Sequence, residues 1–527
     1  MSRNPHGAPP RFARLLSFGS LSLVVLSCTA AATPSKTPST VQPARVLPSP
    51  ALAVTEPMAN PPPATVAPDV PFPTINHDKF ENGLELRVVT RKTYPIIELR
   101  LVLFSGTASD GREPGVANVT GELLKAGGAG PWSAADLAER AESLGSSLEI
   151  ETARDSTQIS IAVTTGDFDA ALGLLGAVAQ KPRFAPLEFD KLKQRELERV
   201  KSAAKSSASW AGSMVLYRQL FDSPDGTQPY SHFDATPSEL QKVTLESCKR
   251  WYESNATPEN ATLIVAGDVE PSVAEAAAKR VFSGWKGARP KPPIFAAPVR
   301  APERVVWLVD RPKSAQSQIY VAGFGPERSS PSWPAVAAAN QVLGGGVAGR
   351  LFLDVRERRS LAYNTGSSLE EAAHGREPIV LSAGTQTAKT RLTVQALLDN
   401  LNQIASVAPS APEVASATRY LSDSFLFRTE TVGAVAGLTA KLAVLKLPDG
   451  YYDSYRHALQ KLDTVSVFNA AQTAFKFDNP VIVVAGDASR IATLLSHFAE
   501  VRIVDPEHGF QTIRSLPFNV GAPLLAP

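Results

Sequence analysis

The chain repeats itself. Val265-Ala266-Gly267-Asp268 returns as Val484-Ala485-Gly486-Asp487, an offset of 219 residues, and Leu240-Gln241-Lys242 with Thr244 returns as Leu459-Gln460-Lys461 with Thr464. The apolar stretch Val116 to Leu123 lines up with Val336 to Leu343, 220 residues on. Several anchors in one order at nearly one offset indicate a duplicated domain, so whatever the first half folds into, the second must fold into as well. Each half mixes β-branched or apolar runs, such as IIELRLVLF and ATLIVAG, with helical patterns such as LKQRELERVKSAAKS and TRLTVQALLDNLNQIAS. Glu81-Asn82-Gly83 offers a hairpin turn. Strands and helices interleaved this way predict an α+β sandwich in each half, with helices on one sheet face.

The first 74 residues stand outside that repeat. Arg3, Arg11 and Arg14 precede an apolar stretch, Leu15 to Leu26, too short to span a bilayer comfortably. It ends in Val25-Leu26-Ser27-Cys28, similar to a bacterial lipobox, which makes residues 1–27 a signal peptide and Cys28 the lipidated first residue of the mature chain. Ordinary cleavage near Ala30 to Ala32 is the alternative. Residues 28–74 are rich in Pro, Ala and Thr and read as a tether. The folded part divides into 75–286 and 303–506, joined by the proline-rich linker 287–302 and followed by a tail, 507–527.

Composition excludes several function classes. With Lys+Arg 53 against Asp+Glu 51 among 527 residues, the net charge of +2 argues against nucleic acid as the main ligand. Two cysteines, Cys28 and Cys248, cannot build a disulfide framework. The seven histidines (His6, His77, His232, His374, His457, His497 and His508) include no two within five residues of each other, so no helical pair exists to grip zinc.

The segment from Phe80 to Gly145, with FENGLELRV, IIELRLVLFSGTASD, the PGVAN helix start and SAADLAERAESLGSSLE, resembles the N-terminal domain of the M16 family (pitrilysin, insulinase, mitochondrial processing peptidase). That resemblance implies two similar lobes forming half of a clamshell. It also implies an H-x-x-E-H helix, whose two imidazoles hold zinc while the Glu activates water. Here those positions are Asn118, Gly121 and Glu122: an amide, no side chain, and a lone carboxylate. The family's third ligand would fall on Glu196 or Glu198. An oxygen site for Mg²⁺ or Ca²⁺ from Asn118, Glu122 and Glu198 is the weaker alternative, and Glu122 is otherwise expected to pair with a base such as Lys125 or to face solvent.

In the second half, SAQSQIYVAGFGPERSSP and LGGGVAGRLFLDVRERRSLAYNTGSS resemble the family's C-terminal domain. There an Arg and a Tyr seven residues apart reach the active centre and bind the substrate backbone, and Arg356 and Tyr363 fit. A guanidinium and a phenol can donate to a peptide carbonyl as it becomes an oxyanion. Read without the family, Arg356-Glu357-Arg358-Arg359 is a solvated helix end. Ser360-Leu361-Ala362 is expected to carry the chain from helix to strand. Gly344-Gly345-Gly346 and Gly127-Gly128-Ala129-Gly130 read as helix caps needing positive φ, not as phosphate cradles.

These expectations converge on a non-catalytic, substrate-binding subunit of a heterodimeric peptidase in the bacterial cell envelope, with no metal or cofactor of its own. Its partner would be an H-x-x-E-H-bearing M16 chain that holds the zinc, and its substrate a peptide or unfolded polypeptide. Two rivals stand beside it: a lipid-anchored peptide-binding scaffold with no part in proteolysis, and a self-sufficient metallopeptidase with displaced ligands.

Overall fold

A computed structural model describes residues 68–223, 228–299 and 303–521; Cys28, the signal peptide and most of the tether lie outside them. The first half forms a six-stranded sheet: β1 (Asn76–Lys79), β2 (Glu85–Thr90), β3 (Ile96–Leu103), β4 (Glu149–Thr152), β5 (Thr157–Thr164) and β6 (Ala261–Gly267), in the order β1-β2-β6-β3-β5-β4. The second half adds β7 (Val305–Asp310), β8 (Gln316–Phe324), β9 (Ala362–Leu369), β10 (Pro378–Gln386), β11 (Val481–Gly486), β12 (Glu500–Asp505) and β13 (Gln511–Leu516), in the order β13-β12-β7-β11-β8-β10-β9. The run β2-β6-β3-β5-β4 corresponds to β7-β11-β8-β10-β9, and in each run only the first pair, β2 with β6 and β7 with β11, is parallel. The duplication seen in the sequence is thus a duplication of topology.

Helices cover both faces of each sheet, not one face as expected. Along β6, Leu263 and Val265 enter the core beneath the first half's own helices, while Ile264 and Ala266 pack against Val432, Val435 and Ala436. Those three belong to the Val432–Val444 helix of the second half. The exchange is reciprocal. The Ala208–Leu220 helix of the first half lies on β8 and β11, close enough that a Cβ on Gly212 would sit 2.7 Å from the Tyr320 ring. Both central strands, ATLIVAG and VIVVAG, are therefore buried at every position, as a strand covered on both sides must be.

Two boundaries and one set of glycines differ from the sequence expectation. Phe72, assigned to the tether, is buried beside Phe425 and Tyr452, and its N–H donates to Asp453 Oδ1 at 2.9 Å. A single aromatic anchor disappears when composition is averaged over a proline-rich stretch. The tail at 507–527 begins with an element of the sheet, since β13 pairs antiparallel with β12. Its residues are almost all exposed, so no apolar alternation announces the strand. Finally, Gly128 and Gly130 do take positive φ, +78° and +54°, but Gly344, Gly345 and Gly346 do not. Gly344 serves close approach instead: a Cβ there would press on Leu351 and the Ser367 backbone.

Candidate functional site

The helix Val116–Ala126 carries the three positions that the family resemblance marks. Its N-terminus is held by Asp110, whose carboxylate accepts from the Gly115 and Ala117 N–H groups at 2.7 and 2.9 Å. Burial pushes the Asp110 carboxyl up to about 7, against the opposing pull of those two amides. Sequence reading missed this anchor, because Asp110 lies five residues before the N-cap Gly115, outside the position where a capping side chain is expected.

On this helix Asn118 is half-buried, Gly121 faces β4, and Glu122 faces outward. A side chain on Gly121 has no room, because a Cβ there would overlap the Thr152 hydroxyl. Glu122 is not joined to Lys125, which pairs with Glu149 at 3.1 Å; its partner is Arg195, at 3.3 Å, on the facing Pro186–Ser206 helix. Glu196 takes Arg199 at 2.6 Å, and Glu198 pairs with Lys201 at 2.9 Å on its own helix. Arg199 reaches on to Asp234 at 3.0 Å, where the Trp210 indole also donates.

The gap that a metal would bridge between the two helices is spanned by a guanidinium. A cation there would be repelled by Arg195, and the donor set of one amide, no side chain and one carboxylate already paired does not fit zinc. Nor does it fit the oxygen site, since Glu122 is tied to Arg195 and Glu198 to Lys201. Among the described residues no cluster of three or more His, Cys, Asp or Glu could hold a metal ion.

The second set of positions is assembled. Residues Phe352–Arg358 form a π-helical turn, which is followed by Ser360 at φ +50° and then by β9, so the chain leaves the helix where expected. Three neighbouring arginines take different roles. Arg358 and Arg359 both bind the buried Asp354, which also accepts from Asn400 at 2.8 Å. Burial opposes charge on Asp354, but the Asn400 and Arg358 hydrogen bonds and the Arg359 charge outweigh it and hold its pKa below the usual value. Arg356 is left free of that cluster. Its guanidinium lies 4.7 Å from the Phe352 ring centre and 5.2 Å from that of Tyr363, and among the described residues it pairs with Glu357, at 3.5 Å. Tyr363 is 79% exposed. The pair therefore presents a planar cation stacked on a phenol, both open to an incoming chain.

Comparison with known proteins decides the family. The insulinase (peptidase family M16) model matches residues 87–219, and the peptidase M16 inactive domain model matches residues 242–421. The chain belongs to the M16 family. Together the two matches cover more than half of it, the second beginning late in the first half, before β6, and running on into the second. An uncharacterized zinc protease of Mycobacterium leprae is 23% identical over 64% of this chain and 74% of its own length. A non-peptidase homolog of Helicobacter pylori is 21% identical over 68% of this chain and 81% of its own. Among solved structures, a peptidase M16 inactive domain from Pseudomonas fluorescens superposes with a TM-score of 0.73 at 24% identity, covering 79% of this chain and 98% of that one, which establishes the shared fold. With its zinc positions filled as described, this chain is an M16 member of the inactive type.

Proposed function

We propose that this M16 chain is the substrate-binding, non-catalytic subunit of a two-chain zinc peptidase, and that Arg356 and Tyr363 act on peptide held in a partner's active site. The observation that carries the reading is the position of Arg356: its neighbours' charges are tied to Asp354, whereas its own guanidinium, with Glu357 beside it at 3.5 Å, lies over the rings of Phe352 and the exposed Tyr363. That arrangement suits donation to a peptide carbonyl. The metal of the partner would supply activated water. This chain's residues would bind and orient the peptide and stabilise negative charge on the carbonyl oxygen, the guanidinium and the phenol O–H both being donors. The substrate would be a short or unfolded peptide.

We also propose that Cys28 carries a lipid anchor that holds the complex at the cell envelope. The support is the sequence around Cys28 and the proline-rich stretch that follows it.

The test is reconstitution with an H-x-x-E-H-bearing M16 chain. Turnover of a quenched peptide should require both chains and collapse on Arg356→Ala while the complex stays intact. Full turnover by that variant would leave the scaffold reading ahead.

A further inference from the structure

A cavity of about 290 Å³ opens beyond the far end of β9, lined by the Trp333–Gly344, Ala411–Arg428 and Tyr451–Gln460 helices. Arg328 enters its wall with its guanidinium against three rings: 4.6 Å from the centre of Trp333, 5.0 Å from Tyr451 and 5.3 Å from Tyr455. The nearest carboxylate, Glu371, stands 3.7 Å away and is also held by Lys441 at 2.5 Å. Arg428 lines the same cavity, and among the described residues no acid pairs with it. Of the lining side chains, Arg328 and Arg428 are cationic and Glu371, which is also held by Lys441, is the acid, so the wall carries net positive charge.

Two further wall residues are unfinished. Trp333 and Asn340, 2% and 8% exposed, each leave a polar atom without a partner, the indole Nε1–H and the amide Oδ1. Both atoms are closed to solvent in this conformation, so a small turn of the side chains is needed before anything reaches them. Buried donors and acceptors are rarely left unpaired, and a donor and an acceptor orphaned at one charged, aromatic cavity call for a ligand that carries both complements.

We propose that this cavity binds a carboxylate borne next to a peptide amide. The carboxylate meets Arg428 and Arg328; the adjoining backbone carbonyl accepts from Trp333 Nε1–H, and the backbone N–H donates to Asn340 Oδ1. Planar guanidinium groups match carboxylate geometry, and the aromatic walls accept the flanking side chain. The volume, at the small end of ligand pockets, limits the occupant to one or two residues of an extended peptide. The carboxylate can be a C-terminus or an acidic side chain. The site is independent of any partner subunit, so it can be tested on the chain alone.

The experiment is calorimetric titration of the purified chain with three N-acetylated tripeptides: one with a free C-terminus, its C-terminal amide, and an amide with a central aspartate. Binding of the first or the third supports the site and names the source of the carboxylate. Arg428→Gln, a change at an exposed position, should weaken that binding by about tenfold or more. Trp333→Phe should weaken it as well, with melting curves confirming that both variants are folded. The proposal is overturned if the neutral amide binds as well as the acidic peptides. It is equally overturned if Arg428→Gln binds like wild type, or if no heat appears at peptide concentrations of about 1 mM, where even a weak site registers.

Discussion

The hydroxyl of Thr152 occupies the space that a side chain on Gly121 would need. At the position that the M16 resemblance marks for water activation, β4 thus leaves no room for a side chain on the helix. Thr152 Oγ1 is itself buried with no hydrogen-bond partner. Across the same helix pair, Arg195 supplies the positive charge that Glu122 requires.

The contact between Gly121 and Thr152 predicts coupling between the two residues. Gly121→Ala should cost roughly 1–3 kcal/mol by overpacking. Combined with Thr152→Ala, which removes the overlapping oxygen, much of that cost should return, giving a double-mutant coupling of at least about 0.5 kcal/mol in denaturant melts. Additive losses would show that the contact is not what excludes a side chain. Installing His at 118 and 122 with Glu at 121 should yield no tightly held zinc by elemental analysis while Thr152 and Arg195 remain.

The exchanged helices make the halves interdependent. Expressed separately, segments ending near 286 or beginning near 303 each lose the helix that covers the second face of their sheet, exposing Ile264 and Ala266 in one and Val483 and Ala485 in the other. Each is expected to be aggregated or molten alone and to recover native near-ultraviolet dichroism when co-expressed. A well-folded isolated half would contradict the exchange.

Much of this was legible in the sequence, for identifiable reasons. The 220-residue repeat predicts the repeated topology because strand starts shift with it, as Glu85 to Val305 and Ala261 to Val481 do. The unbroken apolar runs of β6 and β11 carried the signal for two covered faces. Which half's helix covers which sheet is another matter, since the Ala208–Leu220 and Val432–Val444 helices look alike in pattern and only the assembled halves distinguish them. The Arg195–Glu122 pair spans 73 residues with no local trace. Arg356 and Tyr363 were found through family likeness. Their actual contact depends on the π-helical turn and on Ser360, neither of which follows from spacing.

Glu377 predicts a pH dependence. It is fully buried, and burial pushes its carboxyl up to about 8 against the opposing pull of the Ala372 backbone N–H. The folded state thus holds the proton more tightly than the unfolded state does. Its contribution to stability is complete below the unfolded value of 4.5, falls as pH rises toward 8, and is flat above that. Glu377→Gln removes the titration at nearly constant shape. Relative to wild type it should gain on the order of a few kcal/mol between pH 5 and pH 9, read as diverging melting temperatures. Parallel curves would show that Glu377 does not titrate in this range.

Lipidation at Cys28 predicts a change in membrane fractionation. Cys28→Ala should accumulate as an unprocessed precursor or leave the membrane fraction, and the mature protein should carry the mass of acyl chains on its first residue. An unmodified mature N-terminus near Ala32 would assign ordinary signal cleavage instead.

The sharpest prediction separates stacking from charge at Arg356. A lysine keeps the positive charge, but it cannot lie flat on the Tyr363 ring or present a planar fork of donors. If Arg356 stabilises a carbonyl oxygen in a partner's site, Arg356→Ala should lower kcat by roughly a hundred- to thousand-fold, the scale of a lost oxyanion donor. Arg356→Lys should then recover little. If Arg356 merely steers peptide by charge, Arg356→Lys should restore turnover, and the losses should appear in KM and shrink with added salt. Ser360 supplies the control. Its φ of +50° is strained for a residue with a side chain, and it turns the chain from the π-helical turn into β9. Ser360→Gly should leave assembly intact and stabilise by up to about 1 kcal/mol, whereas Ser360→Val should cost at least that much and displace Tyr363. Reduced turnover in Ser360→Val with full turnover in Ser360→Gly would tie catalysis to the position of the tyrosine. Equal turnover in both, with Arg356→Ala fully active, would remove the pair from the reaction.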